Sequence, residues 1–230
     1  MPESAKGSAA PQSQTLDRGI RLLEYLAEAE KDLTIAQITD GVGLHRSIVY
    51  RILRTLEDHR LVTRTASGSY GLGAGLAVLA RGVSPDLQAV ALPELSELAN
   101  AVGMTAFVVV PDGDDAVTLV SVPPRLSQGH FAQHPGTRHP LNAGAPGLAL
   151  LAGGPPLPGE RKEVTEGRRR GWVRSRGEVI PGLSAVAAPM IRRDGSLVAS
   201  VAVVFAGKAD EPVLAERVME TARQIAVELP

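Results

Sequence analysis

At 230 residues, 44% of them hydrophobic, the chain can fill two modest cores. The absence of cysteine excludes a disulfide scaffold and thiol chemistry, and a formal net charge of −1 excludes a uniformly basic nucleic-acid coat, so any affinity for a polyanion has to be local. No apolar run approaches the roughly 20 residues of a membrane span, so no membrane partner is expected.

The opening MPESAKGSAAPQSQ, residues 1–14, is small and polar and reads as a disordered tail rather than a signal peptide, which points to a cytoplasmic protein. Next, TLDRGIRLLEYLAEAE sets Leu16, Ile20, Leu23 and Leu26 at helical spacing, predicting a helix that closes a small core. LTIAQITDGVG predicts a short helix capped by Thr34 and stopped by Gly43, with Ile35, Ile38 and Val42 on its apolar side. In LHRSIVYRILRTL, residues 44–56, Leu44, Val49, Ile52, Leu53 and Leu56 fall on one stripe of a helix and Arg46, Ser47, Tyr50, Arg51 and Arg54 on the opposite one. That polar face has no carboxylate until Glu57 and Asp58, so nothing within the helix neutralises the arginines. Such a face suits an external anion. Two helices about a tight glycine turn predict a helix-turn-helix, whose second helix enters the DNA major groove.

LVTRTASGSYGLG follows, with Val62 and Arg64 set against Tyr70 and Leu72 about Ala-Ser-Gly-Ser, and predicts a hairpin placed as a wing. Charge is segregated along the same stretch. Residues 15–42 carry Arg18, Arg21 and Lys31 against Asp17, Glu24, Glu28, Glu30, Asp32 and Asp40, whereas residues 43–73 carry Arg46, Arg51, Arg54, Arg60 and Arg64 against only Glu57 and Asp58. The basic half is the half that would meet phosphates.

Taken in order, LDRGIRLLEYL, LTIAQI with VGL, RSIVYRILRTLE and YGLG resemble the winged helix-turn-helix of the IclR family of bacterial transcription regulators, over residues 15–82. The family often has Pro and Thr where this chain has His45 and Ile48, a difference that bears on the DNA sequence read. Within this framework Arg46, Ser47, Tyr50 and Arg51 are expected to read base edges, and Thr34, His45, Arg54 and Arg64 to fix phosphates.

GLAVLARGVSP places Leu76, Leu79 and Val83 on an expected interdomain helix that Pro85 helps to stop. The implied division is a winged helix-turn-helix over 15–73, a linker helix over 74–85 and a second domain over 86–230. That domain opens with an expected amphipathic helix over 86–102. TAFVVVP and AVTLVSV predict strands about DGDD, LSAVAAPMIRRDGSLVASVAVVF predicts two long strands about RDG, and a helix over 211–229 closes the chain. The fold class is therefore α+β in two domains, the second an antiparallel sheet with helices. PLNAGAPGLALL, RRRGWVRSRGEVIPGLSAVAAP and the final hairpin resemble the GAF-like effector domain of the same family.

That resemblance implies a small-molecule effector, frequently a carboxylic or aromatic acid, between the sheet and the helix opening at NAGAPG. Free N–H groups at Gly144 and Ala145 would suit an anion, although Pro146 has none and Leu148 stands where relatives often carry Lys. Ala202 and Val204 replace the serines of the family's last strand, and Ala185 falls where Cys or a small polar residue is common. The expected pocket is apolar, with Phe107, Phe131 and Trp172 as contacts, Glu178 as the nearest charge, and a hydrophobic or aromatic effector. The alternative is that these residues are core and the pocket vestigial. The short, proline-rich 152–167 stretch is expected to leave it open or absent.

His130, His134 and His139 do not form a metal motif: on a strand the first two lie roughly 13 Å apart, too far for one ion at bonds of about 2 Å. The basic run from Arg161 to Arg176 reads as a solvated helix face rather than a second DNA contact. No nucleophile elbow, phosphate loop or paired carboxylates are present, so neither a catalytic residue nor a cofactor is expected. The reading is a homodimeric or tetrameric, effector-controlled regulator that binds double-stranded operator DNA. Its rivals are a constitutive DNA-binding protein whose second domain only oligomerises, and an enzyme acting on a small molecule.

Overall fold

In the computed structural model, residues 13–125 and 133–230 are described, and they divide into two compact units at Val83/Ser84. Of the tail expected over residues 1–14, residues 1–12 lie outside the described residues, as do His130 and Phe131, whereas Ser13 caps the first helix and Gln14 begins it.

The first unit is built from α1 (Gln14–Ala27), α2 (Ile35–Val42), α3 (Arg46–Asp58), the strands β1 (Val62–Arg64) and β2 (Tyr70–Leu72), and α4 (Gly75–Ala80). α2 starts with a capping box: the Gln37 N–H donates to Thr34 Oγ1 at 3.4 Å, and the Thr34 N–H donates to Gln37 Oε1 at 2.9 Å. It ends at Gly43 with φ of 63°, the left-handed conformation glycine adopts without a Cβ clash. The chain then turns directly into α3. Val49, Ile52 and Leu53 of α3 pack with Leu22, Leu26 and Ile38, and Val62 and Tyr70 of the hairpin complete the core. Each fully buried Leu or Ile contributes about 1.5–3 kcal/mol relative to exposure. β1 and β2 pair antiparallel, and Leu33 bridges to Tyr70 through two backbone hydrogen bonds, so the wing is tied to the segment that enters α2.

Two expectations change here. The α1 stripe that reaches the core is Gly19, Leu22 and Leu26, whereas Leu16 and Ile20 remain 63% and 48% exposed. The apolar side of α1 is wider than one core can cover. Gly19 lies on the contact side, where even an added Cβ would meet Ile52 only at ordinary contact distance, and Leu16, Ile20 and Leu23 instead line an open groove of about 640 Å³ with Ile48 and Leu56. Pro85, expected to stop a helix, begins one: it occupies the first turn of α5 (Pro85–Val102), where a missing N–H costs nothing. α4 has already ended at Ala80.

The second unit continues with β3 (Thr105–Asp112), β4 (Asp115–Val122), β5 (Arg138–Pro140), α6 (Gly144–Gly153), α7 (Lys162–Arg170), β6 (Val173–Arg176), β7 (Leu183–Ile191), β8 (Leu197–Ala206) and α8 (Glu211–Glu228). The six strands form one antiparallel sheet in the order β5-β4-β3-β8-β7-β6. The two-residue period of β structure sends alternate side chains to opposite faces. Ala106, Val108, Val201 and Val203 meet Leu95 of α5 and Val218 and Ile225 of α8; Phe107, Val109, Ala202 and Val204 meet Ala145, Leu148 and Ala149 of α6. Both faces of the central strands are buried, which is why those strands read as near-continuous apolar runs. At Gly147 a Cβ would lie 2.4 Å from the Leu141 carbonyl oxygen, so only glycine lets α6 pack this closely on the turn before it.

Candidate nucleic-acid interface and effector cavity

α3 presents its apolar stripe to the core, and Tyr50 on the other side is 50% exposed. His45 precedes the helix as its N-cap, accepting at Nδ1 from the Ser47 N–H at 3.3 Å and lying 2.8 Å from Ser47 Oγ. This fixes the first turn while leaving the other ring nitrogen of His45 outside that bond. His45, Arg46, Ser47, Tyr50 and Arg51 join Arg64, Gly68 and Tyr70 of the wing around one open concavity of about 610 Å³. Arg64 lies over the Tyr70 ring, 5.6 Å from its centroid, so a buried aromatic platform holds the wing's cation beside the helix. Among the described residues, none of Arg46, Arg51, Arg54 and Arg64 forms an ion pair, whereas Arg21 on α1 pairs with Asp17 at 3.2 Å. An uncompensated arginine face beside a wing attracts a polyanion.

Arg54 lies outside that concavity, further along α3. Thr34 lies outside it as well, and its hydroxyl is committed to Gln37 at 2.8 Å, so its part is to start α2. Sequence reasoning missed Tyr70 as the support for Arg64. The signal was the strand alternation that sets Arg64 opposite Tyr70.

On the α6 face of the sheet, a small cavity of about 40 Å³ is lined by Phe107, Gln133, His139, Gly144, Pro146, Ser175, Glu178, Val179, Ile180, Leu183, Ser184, Ala185 and Val204. Five of the expected effector contacts, Phe107, Gly144, Glu178, Ala185 and Val204, therefore surround one space. Ala145 is fully buried and is not among the lining residues. Ala202 faces the same side but is fully buried opposite Phe107 and does not line the cavity. Trp172 is placed elsewhere: it packs toward the α5–α8 layer, with the Arg170 guanidinium 3.8 Å from its ring centroid. A turn at Gly171 puts Trp172 before β6, and one residue of strand alternation sends Trp172 and Val173 to opposite faces.

The donors expected to be free at the start of α6 are taken. The Gly144 N–H donates to Glu178 Oε2 at 3.0 Å and the Ala145 N–H to Ser175 Oγ at 2.8 Å, while Pro146 has no N–H. Arg161 in turn grips both oxygens of Glu178, at 3.0 and 3.1 Å, and donates to the Asn142 carbonyl at 2.9 Å. Burial pushes the Glu178 carboxyl up, but Arg161 and the Gly144 N–H outweigh it and hold it below the ordinary carboxylate value. The cavity is small and partly open, and Val179 and Ile180 of the β6–β7 loop form part of its lining. The basic run from Arg161 to Arg176 is absorbed within the domain: Arg168 pairs with Glu160, Lys162 with Glu166 and Arg174 with Glu211. His134 is exposed and His139 buried, its Nδ1 3.0 Å from the Pro140 carbonyl oxygen.

Residues 15–66 match the IclR helix-turn-helix domain family. The chain is 30% identical to the probable transcriptional regulator SauR of Cupriavidus necator over 211 residues, spanning 81% of this chain and 83% of that one. Among solved structures, the IclR transcriptional regulator from Alicyclobacillus acidocaldarius superposes with a TM-score of 0.78 at 26% identity, covering 94% of this chain and 98% of that one. An IclR homologue from Microbacterium hydrocarbonoxydans, solved with 4-hydroxybenzoate, shares the fold with a TM-score of 0.80 at 24% identity, over 94% and 99% of the two chains.

Proposed function

The chain belongs to the IclR family of transcriptional regulators, and on that premise we propose that it reads operator DNA through the α3–wing surface and answers to a small molecule in the α6 cavity. The carrying observation is the uncompensated arginine face that α3 and the wing present around one concavity. Arg46, Ser47, Tyr50 and Arg51 sit at the exposed start of the recognition helix and reach base edges in the major groove. His45, Arg54 and Arg64 hold phosphates and set the register. Two copies pair, as a dimer or within a tetramer, so that two recognition helices meet half-sites about one helical turn apart. The exposed Val78 and Leu79 of α4 supply an apolar seam for that pairing. The protein acts in the cytoplasm, where the operator is; among the described residues no helix is long and apolar enough to cross a membrane.

The effector is an apolar or aromatic molecule. Phe107, Val179, Ile180, Leu183 and Val204 line the cavity, and the Microbacterium homologue of the same fold was solved with an aromatic acid. The ligand acts by binding two arrangements of the dimer unequally. Binding of the full-length protein to fragments from its own upstream region tests the reading, with footprinting to locate contacts. A protected pseudo-palindrome with half-sites one turn apart supports it; protection independent of sequence contradicts it.

A second reading is a constitutive DNA-binding protein whose second domain only oligomerises, and it is favoured by the self-satisfied start of α6 and a cavity far below the roughly 300–1,000 Å³ of a ligand pocket. Thermal shift against aromatic acids separates the two, because a ligand of the native state raises the melting temperature with concentration.

A further inference from the structure

The cavity on the α6 face cannot admit an organic molecule as it stands, since about 40 Å³ is on the order of one or two waters. Part of its wall is one short segment, residues 177–182 between β6 and β7, which contributes Glu178, Val179 and Ile180 to the lining. Gly177 and Gly182 bound that segment, with φ of 66° and 82°, so the loop turns at both ends on residues that tolerate large backbone change. Val179 and Ile180 are 39% and 41% exposed, apolar on both sides of the wall rather than sunk into a core. Glu178 provides the side-chain contacts to the other rim, at the Gly144 N–H and the Arg161 guanidinium.

We propose that residues 177–182 are a lid over the effector cavity, latched by Glu178, and that a ligand carboxylate opens it by replacing Glu178 on Arg161 and the Gly144 N–H. The inference rests on the effector-site reading above. Replacement conserves the charge balance of the rim: one carboxylate leaves for solvent and another takes its donors, so Arg161 is never left without a counter-ion. The latch is reachable from water, with Glu178 26% and Arg161 37% exposed in their side chains. The apolar lining then receives the body of the ligand. The favoured class is a monocarboxylic acid with an apolar or aromatic body. A neutral analogue of the same shape gains the apolar contacts but has nothing to offer Arg161 once Glu178 swings away.

A lid that is shut most of the time lowers apparent affinity by the fraction open, so removing the competing carboxylate tightens acid binding by about 10- to 100-fold for a lid open on the order of 1–10% of the time. The experiment uses the full chain, with sodium benzoate and benzyl alcohol as probes, read by calorimetric titration. The expected result is that Glu178→Ala binds benzoate at least about tenfold more tightly than the parent, that benzyl alcohol, which also needs the lid open, binds more weakly than benzoate to the same variant, and that adding Arg161→Ala removes this preference for the acid. Equal benzoate affinity in parent and variant overturns the proposal, as does equal affinity of Glu178→Ala for benzoate and benzyl alcohol or no benzoate binding by any variant.

If Glu178→Ala fails to fold, Glu178→Gln retains an amide oxygen for the Gly144 N–H and loses only the charge opposite Arg161. Hydrogen exchange over 177–183 is then the readout: faster in Glu178→Gln than in the parent, and faster in the parent with benzoate than without it, is expected, and unchanged exchange overturns the latch. Operator binding measured alongside keeps the two ideas apart. Tighter benzoate binding with no change in operator affinity leaves the latch standing and sinks the effector reading, whereas operator release at the same benzoate concentration in parent and Glu178→Gln does the reverse.

Discussion

Arg64 and Arg51 sit around the same concavity, yet their surroundings give them different work. Arg64 lies on the wing over Tyr70 rather than on the recognition helix, and its proposed partner is a backbone phosphate. Arg64→Ala is therefore expected to weaken all DNA sequences alike and lower the salt slope of binding by about one per DNA-bound subunit. Titrations at several salt concentrations check this, and a selective loss on the operator would contradict it. Glu178 carries a pH signature. Its folded carboxyl lies below the ordinary 4.5, held there by Arg161 and the Gly144 N–H against burial and the neighbouring Glu163. A depressed pKa contributes stability that is complete above the unfolded value and is lost as pH falls through the folded one. The parent should melt above Glu178→Gln at pH 7, with the gap closing progressively below 4.5. A gap independent of pH would show that Glu178 acts by shape alone. Ala202 is fully buried opposite Phe107, so Ala202→Phe overpacks the sheet and is expected to cost about 1–3 kcal/mol in denaturant titration, whether or not ligand is present. Strand alternation placed Ala202 and Val204 on one face correctly, but alternation does not say where along that face the packing gives way to a cavity. Nor does a period reveal that a loop carboxylate 34 residues downstream returns to Gly144.

At the scale of elements, the short helices were legible wherever a local device fixes them. Thr34 with Gln37 starts α2, Gly43 ends it, and an apolar spacing carries α3, all readable within a dozen residues. α1 was legible as a helix but not in its buried side, because Leu16, Ile20, Leu23 and Leu26 make a spacing as good as Gly19, Leu22 and Leu26, and only the packing of α1 on the rest of the core decides between them. Pro85 was ambiguous for a physical reason: proline can stop a helix or suit the first turn of one, and with α4 ended at Ala80 and Ser84 left-handed at φ of 46° it does the second. α4 is the element that tests the proposed pairing. Leu79 is 64% exposed within the chain, so a charge there costs the fold little. In a seam between two copies the same charge is stranded in an apolar contact. Leu79→Asp should leave the melting temperature nearly unchanged while shifting sedimentation toward the smaller species and weakening operator binding. Unaltered sedimentation and affinity would remove α4 from the seam.

At the scale of the whole molecule, two units divide the labour of a regulator: one carries the arginine face, the other a sheet buried on both sides with a latched cavity on one of them. Effector control requires only that ligand and operator prefer different states of the dimer, and the coupling is then reciprocal, with operator weakening ligand as much as ligand weakens operator. The segregation of charge along residues 15–73 pointed to the arginine face, and the change from helical to alternating apolar spacing beyond residue 104 to the sheet. The most direct test of the central claim is the affinity of the parent and of Arg51→Ala for the operator and for a scrambled duplex of equal length, at one physiological salt concentration. The parent is expected to prefer the operator by about 10³-fold or more. Arg51→Ala should lose about 1–3 kcal/mol on the operator, with little change on scrambled DNA. Equal affinity of the parent for the two duplexes, or an equal loss on both in Arg51→Ala, would contradict sequence readout by this helix.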